Sequence, residues 1–289
     1  FIDRGGGPGA NGAWRLGLWG EAVYYIGHLQ QDLYGQRIID EFAEAGVDTS
    51  QVVFSDDMIT PLASVLVNRL TGSRTIITRK MQTPPSLTYE QKLKLDDLAE
   101  RLIASEEPVT ILIDGHEAEI SEYLIKKLPN ARVVMDGGSL RASNIKLAAW
   151  TDYFVVSEHF ARDYMSYRSL STEAEIKAAL IELNKICRGE AFITLGEKGC
   201  AFLKSGMLQI VPSWLCNAVD TTGAGDVFHG AFTYGVHYSW HIDNIILFAS
   251  LTAAISIEKK GVRESMPDLA VVHHSLNSYE RNLTQYFEE

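Results

Sequence analysis

Asp220-Thr221-Thr222-Gly223-Ala224-Gly225-Asp226-Val227-Phe228-His229-Gly230-Ala231-Phe232 is the stretch on which the reading of this chain turns. Small residues stand directly before an apolar, helix-like continuation. Glycines at 223 and 225 let the backbone turn tightly, so that consecutive N–H groups can point at one anion with the positive end of a helix dipole behind them. A phosphoryl group in transfer needs such a preorganised donor set, because its transition state spreads negative charge over oxygens. Gly223, Ala224 and Gly225 are therefore read as an anion hole, with Asp226 beside it at the helix start. A carboxylate there can accept a proton from an attacking hydroxyl while the helix end keeps it ionised. The bland alternative is a glycine-rich helix entry with Asp226 as an ordinary first-turn acid.

Upstream of this segment, short apolar runs alternate with amphipathic stretches, the pattern of a parallel sheet covered by helices. Strands are predicted at Val109 to Ile113, Arg132 to Met135, Tyr153 to Val156 and Ala191 to Leu195, with Cys200 to Leu203 after a turn. Ile120, Leu124 and Leu128 recur at helical spacing, as do Ile176, Leu180, Leu183 and Ile186. Nearer the N-terminus, Ala63 to Leu70 and Thr75 to Thr78 flank a plausible hairpin connection, which implies an antiparallel flap. The apolar run Ile245 to Ile257 reads as a buried helix, being shorter than the ~20 residues that span a bilayer.

The chain has 289 residues, 46% of them hydrophobic, enough for one large globular domain or one with a small accessory piece. Its net charge of −11 opposes a nucleic-acid partner, since the basic residues are scattered. Three cysteines with no CxxC spacing argue against a disulfide framework or a structural zinc site, and fit a reducing cytoplasm. No secretory signal pattern is visible, and a chain opening on Phe1 is expected to lack its native start. His273-His274 reads as surface and not as a metal pair, because adjacent helical residues do not face one site. No metal ligand is assigned.

The segment DTTGAGDVFHGAF resembles the C-terminal signature of the ribokinase-like (PfkB) sugar kinases, in which the final Asp is the catalytic base and Gly-Ala-Gly the anion hole. Other matches follow in order along nearly the whole chain. Gly6-Gly7-Pro8-Gly9-Ala10-Asn11-Gly12-Ala13 looks like the family's GGxxxNxA motif, which contacts the sugar and implies roles for Gly7 and Asn11. Ile26-Gly27 with Asp32-Leu33-Tyr34-Gly35 resembles GxxGxDxxG, with Gln30 in place of its middle glycine. Thr194-Leu195-Gly196-Glu197-Lys198-Gly199 resembles the TxGxxG loop along the nucleotide, although a strand followed by GxxG is also an ordinary turn. The resemblance assigns Thr194, Gly196, Gly199 and Ser250 to nucleotide binding. It is closest to the ketohexokinase branch, through Gly46 to Val52, Gly72 to Ile76, Ile111 to His116 and Asp152 to Ser157.

Three departures qualify it. Ser157-Glu158-His159-Phe160 stands where many members carry NxxE, which leaves the Mg2+ shell unassigned. Pro8 replaces an amide that faces the sugar in the ketohexokinase branch. Ile2-Asp3-Arg4 resembles the end of the first strand, whose Asp binds sugar hydroxyls, but only two residues separate Asp3 from Gly6. A lid hairpin is expected to be missing there; if it is truly deleted, the reach of Asp3 to the site is in question.

The resemblance thus implies an α/β, ribokinase-like three-layer sandwich over residues 1–289, with a central, mostly parallel sheet. Lid strands are expected near residues 1–10 and 60–80. The cofactors implied are ATP and Mg2+, with a monovalent cation as a further candidate. The acceptor implied is a small sugar, a ketohexose such as fructose being favoured. A nucleoside kinase, or a sugar or nucleotide sensor on the same fold, is the alternative. Subunits of this family often pair through their lids, so a homodimer is a candidate assembly; no membrane partner is expected. Asp114 and His116 follow a predicted strand, where open α/β sheets place ligand contacts. Arg74 follows the hairpin turn and either meets the substrate or decorates the tip. Asp136, before Gly137-Gly138, also ends a strand and is open to reading as a turn former.

Overall fold

The computed structural model describes residues 4–56, 58–67, 74–79 and 84–277. Its elements run α1 (Pro8–Leu18), β1 (His28–Leu29), α2 (Leu33–Glu44), β2 (Val53–Phe54), β3 (Ala63–Val67), β4 (Arg74–Thr78) and α3 (Tyr89–Ala104). Then come β5 (Thr110–Ile113), α4 (Ala118–Lys127), β6 (Arg132–Gly137), α5 (Ala142–Ala148), β7 (Tyr153–Ser157), α6 (Glu158–Tyr164) and α7 (Glu173–Asn184). The C-terminal part holds β8 (Glu190–Thr194), β9 (Cys200–Lys204), β10 (Met207–Val211), α8 (Ala224–His237) and α9 (Ile242–Ile257).

Six strands form the central sheet in the order β10-β9-β8-β7-β6-β5. The four from β5 to β8 are parallel, in registers such as Met135 opposite Phe154 and Val155 opposite Phe192; β9 and β10 extend the sheet antiparallel. Parallel strands need crossovers, and α4 to α7 supply them. Because successive side chains point to opposite faces, each strand feeds two cores. Val133, Met135, Phe154, Val156 and Ile193 pack with Leu147, Phe160 and Leu180 of the crossover helices. Val134, Val155, Phe192 and Phe202 pack on the other face with Phe228, Phe232 and Phe248 of α8 and α9. A sheet covered twice explains the nearly continuous apolar runs of these strands.

Local signals fix the element ends. Thr172 and Glu175 form a capping box that opens α7, and Thr88 with Gln91 does the same for α3. Asp32 caps α2 by accepting from Gly35 N–H at 2.7 Å, so this part of the GxxGxDxxG-like segment is a helix entry. Helix α9 is 16 residues long and buried beside α8, and no described helix is long and apolar enough to cross a membrane.

The expected flap is present as the antiparallel pair β3 and β4, Val67 opposite Arg74. The strand expectation near residues 1–10 is corrected in part, because Pro8 to Ala10 are the first turn of α1. Pro at that position suits a helix entry, where its missing N–H costs nothing. His273 is not simply surface: its ring lies 5.6 Å from that of Phe248 and 6.3 Å from that of Trp240. The GxxG segment forms the turn its sequence allowed, a short 3-10 turn at Gly196–Lys198 that leads from β8 into its antiparallel neighbour β9.

The far end of α8 is tied to the sheet by Arg132 at the start of β6. Its Nη1 donates to the carbonyls of Val236 at 2.6 Å and His237 at 3.2 Å, two of the four that a helix C-terminus leaves unpaired. Arg132→Ala is expected to lower stability by ~1.5–3 kcal/mol, the usual worth of a hydrogen bond from a charged donor. Urea unfolding should show a lower midpoint with an unchanged slope.

Candidate functional site

Two glycines determine how closely α1 approaches α8. A Cβ added to Gly230 would lie 3.1 Å from Gly12 Cα, and one added to Gly12 would lie 2.8 Å from the Leu112 side chain. The helices therefore meet backbone to backbone, and Asn11 comes within reach of the first turn of α8. Its Nδ2 donates to Asp226 Oδ2 at 2.7 Å. The start of α8 is a left-handed Gly223, φ 73°, against which Val262 packs where a side chain would stand. A non-glycine residue would be strained there and would also clash. Buried Asp220 braces this turn by accepting from Thr222 N–H at 3.0 Å and Gly261 N–H at 3.1 Å. The first-turn N–H groups of Gly225 and Asp226 are among the orphan donors of the helix, and open space surrounds Gly225.

The carboxyl edge of the parallel strands brings two further carboxylates to this point. Asp114, just past β5, accepts from Gly9 N–H at 3.1 Å, from His116 N–H at 3.0 Å and from the His116 ring at 3.1 Å. Burial works against its charge, but the His116 contacts and the Gly9 amide outweigh that, so its carboxyl stays below the usual range. The same pairing raises the His116 imidazole. Asp136, the penultimate residue of β6, is buried with its Oδ2 3.2 Å from His229 Nδ1. His229 also faces the carbonyls of Gly225 at 2.6 Å and Val155 at 3.1 Å. Burial pushes the Asp136 carboxyl up. Asp226 is pushed up to about 7, first by desolvation and then by the charge of Asp136, with Asn11 and His229 opposing.

Asp114, His116 and Asp226 border a cavity of about 2080 Å³, lined also by Gly7, Asn11 and Gly223. Leu66 of the flap and Thr110 to Ile113 of β5 also line it. The volume exceeds the ~300–1,000 Å³ of a pocket for one small ligand. Thr194, Gly196 and Gly199 stand at the same carboxyl edge, at the end of β8, without lining this cavity. Ser250 is buried within α9. Arg74 is the first residue of β4, and Asp3, like the spacing between it and Gly6, involves residues outside those described. Among the described residues, no group of three or more His, Cys, Asp or Glu is arranged to hold a metal ion.

Sequence reasoning passed over the Asp136–His229 pair. Asp136 does serve a turn, accepting from the Gly138 backbone, but its place at the end of a strand parallel to that of Asp114 was a usable signal. His229 stands three residues after Asp226 on one helix, the spacing that puts two side chains on one face. Arg263, which donates through Nε to Asn11 Oδ1 at 3.4 Å, gave no sequence signal at all, since a loop 252 positions away from Asn11 supplies it.

A doubly covered, mostly parallel sheet whose carboxyl edge meets the mouth of a helix is the ribokinase-like α/β fold, and solved structures bear this out. The ribokinase of Arabidopsis thaliana, determined with ribose and ATP, superposes with a TM-score of 0.76 at 21% identity over 93% of this chain and 86% of that one. In sequence, the chain is 28% identical over 279 residues to ribokinase of Lactococcus lactis, covering 96% of this chain and 87% of that protein. It is 23% identical over 295 residues to fructokinase-2 of Oryza sativa, covering 96% and 86%. The pfkB family of carbohydrate kinases matches residues 3–269, and the chain belongs to that family.

The Asp226 carboxyl can be followed directly, by carbon NMR titration against Asp226→Asn. Its midpoint is expected near 7, as the buried geometry sets it. In Asn11→Leu it should move to still higher pH, because the lost hydrogen bond favours the ionised form. A midpoint in the ordinary carboxylate range would contradict this electrostatic description.

Proposed function

We propose that this protein transfers the γ-phosphoryl group of ATP to a hydroxyl of a small sugar, with Asp226 as general base. The observation that carries the reading is a buried carboxylate, held by Asn11 Nδ2 at 2.7 Å, that opens into the cavity at a left-handed glycine helix entry and is pushed up to about 7 by burial. A base is most effective when its pKa lies near the working pH. Asp226 takes the proton as the acceptor oxygen attacks phosphorus in line. The first-turn amides of Gly225 and Asp226, with the dipole of α8 behind them, would face the oxygens on which charge accumulates. Asn11 and Asp114 lie where acceptor hydroxyls would be held, and Asn11 keeps the base oriented. Thr194, Gly196 and Gly199 continue along the same sheet edge, on the side where the rest of the nucleotide would extend.

Mg2+ usually keeps several waters and binds through one or two carboxylates plus substrate phosphates. The carboxyl edge suits that mode: Asp114 and Asp136 are engaged with histidines, while Glu158 opens α6 directly after β7 and would hold the ion, most simply through water. When bound, the ion offsets phosphate charge.

The acceptor is the finer part of the proposal. The likeness to ketohexokinases favours fructose, and the relatives include proteins named ribokinase, fructokinase and deoxyribokinase. ADP release should be measured over fructose, ribose, deoxyribose and adenosine, with Asp226→Asn as the control. Phosphorylation of a sugar by the wild type only is the expected result; adenosine as the sole acceptor would replace the sugar reading, and no turnover on any acceptor would sink it.

Two outcomes follow for Asp226→Asn. Turnover should fall by ~10²–10⁴-fold, the usual contribution of a general base, and the wild-type kcat/KM should rise with pH through about 7. The stability effect has the opposite sense. A carboxyl raised on folding contributes stability below its unfolded pKa and loses it as pH climbs through the folded one. The variant should therefore melt higher than wild type above pH ~8 and equal it near the unperturbed carboxylate pKa of ~4.

A further inference from the structure

We propose that Arg263 is a positioning residue for Asp226, fixing the Asn11 side chain so that its nitrogen, and never its oxygen, faces the carboxylate. The inference rests on Asp226 as the base and adds the device that keeps this base correctly addressed.

An Asn amide is nearly symmetric in shape, and its two orientations differ only in which end donates. When Asp226 is ionised, the donating end is favoured. When it is protonated, the acid hydroxyl could instead donate to a flipped amide, and the amide alone has no reason to choose. Arg263 removes the ambiguity. A guanidinium has five N–H donors and no acceptor, so its contact with Asn11 at 3.4 Å can only be to Oδ1, which leaves Nδ2 directed at Asp226 at 2.7 Å.

The arginine is itself held from several sides. It is 3% exposed, with its guanidinium carbon 5.5 Å from the ring centres of both Trp14 and Phe42. Nη1 pairs with the buried Glu41 of α2. Glu41 also accepts from Gly5 N–H at 3.0 Å, and a Cβ on Gly5 would come within 2.7 Å of Arg263 Nη1. The glycine loop before α1 therefore lies directly on the guanidinium. Around Arg263 the charged and titratable groups are Glu41, Tyr25 and Arg4. Around Asp226 they are Asp136 of β6, Asp114 after β5 and His229 of α8. None of these touches the Asn11 oxygen, so the orientation depends on Arg263.

The test uses Arg263→Leu, Arg263→Lys, Asn11→Leu and the double variant Asn11→Leu/Arg263→Leu, each read by carbon NMR titration of Asp226 and by the pH profile of kcat. In Arg263→Leu the Asp226 midpoint should move to higher pH. Turnover at pH 6.5 should fall by about 10- to 100-fold, the scale of a small misplacement at a reacting centre, with recovery toward pH 9 and an unchanged KM for ATP. The double variant should titrate as Asn11→Leu does, because both changes act through one amide. Should Arg263→Leu fail to fold, Arg263→Lys serves: it keeps the charge opposite Glu41 but has no Nε–H, and should show the same alkaline shift. An unmoved midpoint in a folded Arg263 variant, or effects that add in the double variant, would overturn the proposal. The titration needs no turnover, so it separates failure of this relay from failure of the kinase reading.

Discussion

Helices α1 and α8 touch through Gly12 and Gly230 with no side chain between them, and the site depends on that contact. Any larger residue would open the gap by the width of at least a methyl group, more than the tolerance of a 2.7 Å hydrogen bond between Asn11 and Asp226. The contact is braced at its ends. Asp114 takes the Gly9 amide and so sets the first turn of α1 against β5; Arg132 pins the last turn of α8 to β6. The sheet thereby fixes both helices, and the helices fix the distance between the amide and the acid. Close packing carries the fold into the chemistry here, because packed interiors transmit displacements instead of absorbing them.

Charge around Asp226 is arranged with the same economy. Three carboxylates converge where each would raise the others, and two of them are given a histidine. Asp114 with His116 stays easily ionised, whereas Asp136, though beside His229, is pushed up by burial. Among the described residues, the hydrogen bond to Asp226 comes from the neutral Asn11 amide, and burial pushes its carboxyl up to about 7. A salt bridge would have made it a weaker base by holding its charge too well. A neutral donor orients the carboxylate without removing its appetite for a proton. The difference between the three acids thus comes from how far hydrogen bonds and neighbouring charge offset burial: fully at Asp114, and incompletely at Asp136 and Asp226.

Much of this was legible in the sequence. Strands at Arg132 to Met135 and Tyr153 to Val156 announce themselves because both faces are buried, and the helix entry at Gly223 because few residue types tolerate its backbone. The flap was readable from two runs about a short turn, and Asp114 from its place after a strand. What escaped was contact between distant segments. Nothing near Glu41 or Arg263 in the chain indicates that the two meet, and His229 looks like one more residue of an apolar helix until β6 brings Asp136 against it. Sequence periodicity reports local structure and burial, whereas the identity of a buried polar residue's partner is decided by topology.

Burying Arg263 and Glu41 together calls for a reason beyond stability. Desolvating two charges costs several kcal/mol per ion in practice, and well-packed apolar residues of similar volume often stabilise as much or more. The pair would thus be a poor choice if its task were only to fill the space between α1 and α2. An apolar pair, however, could not speak to the Asn11 oxygen, and a lone arginine would be left with an uncompensated charge. Glu41 makes the arginine tolerable, Trp14 and Phe42 confine its plane, and the plane aims Nε at Asn11. The cost of the buried pair is therefore best understood as the cost of holding one amide in one orientation, several bonds away from the carboxylate that uses it.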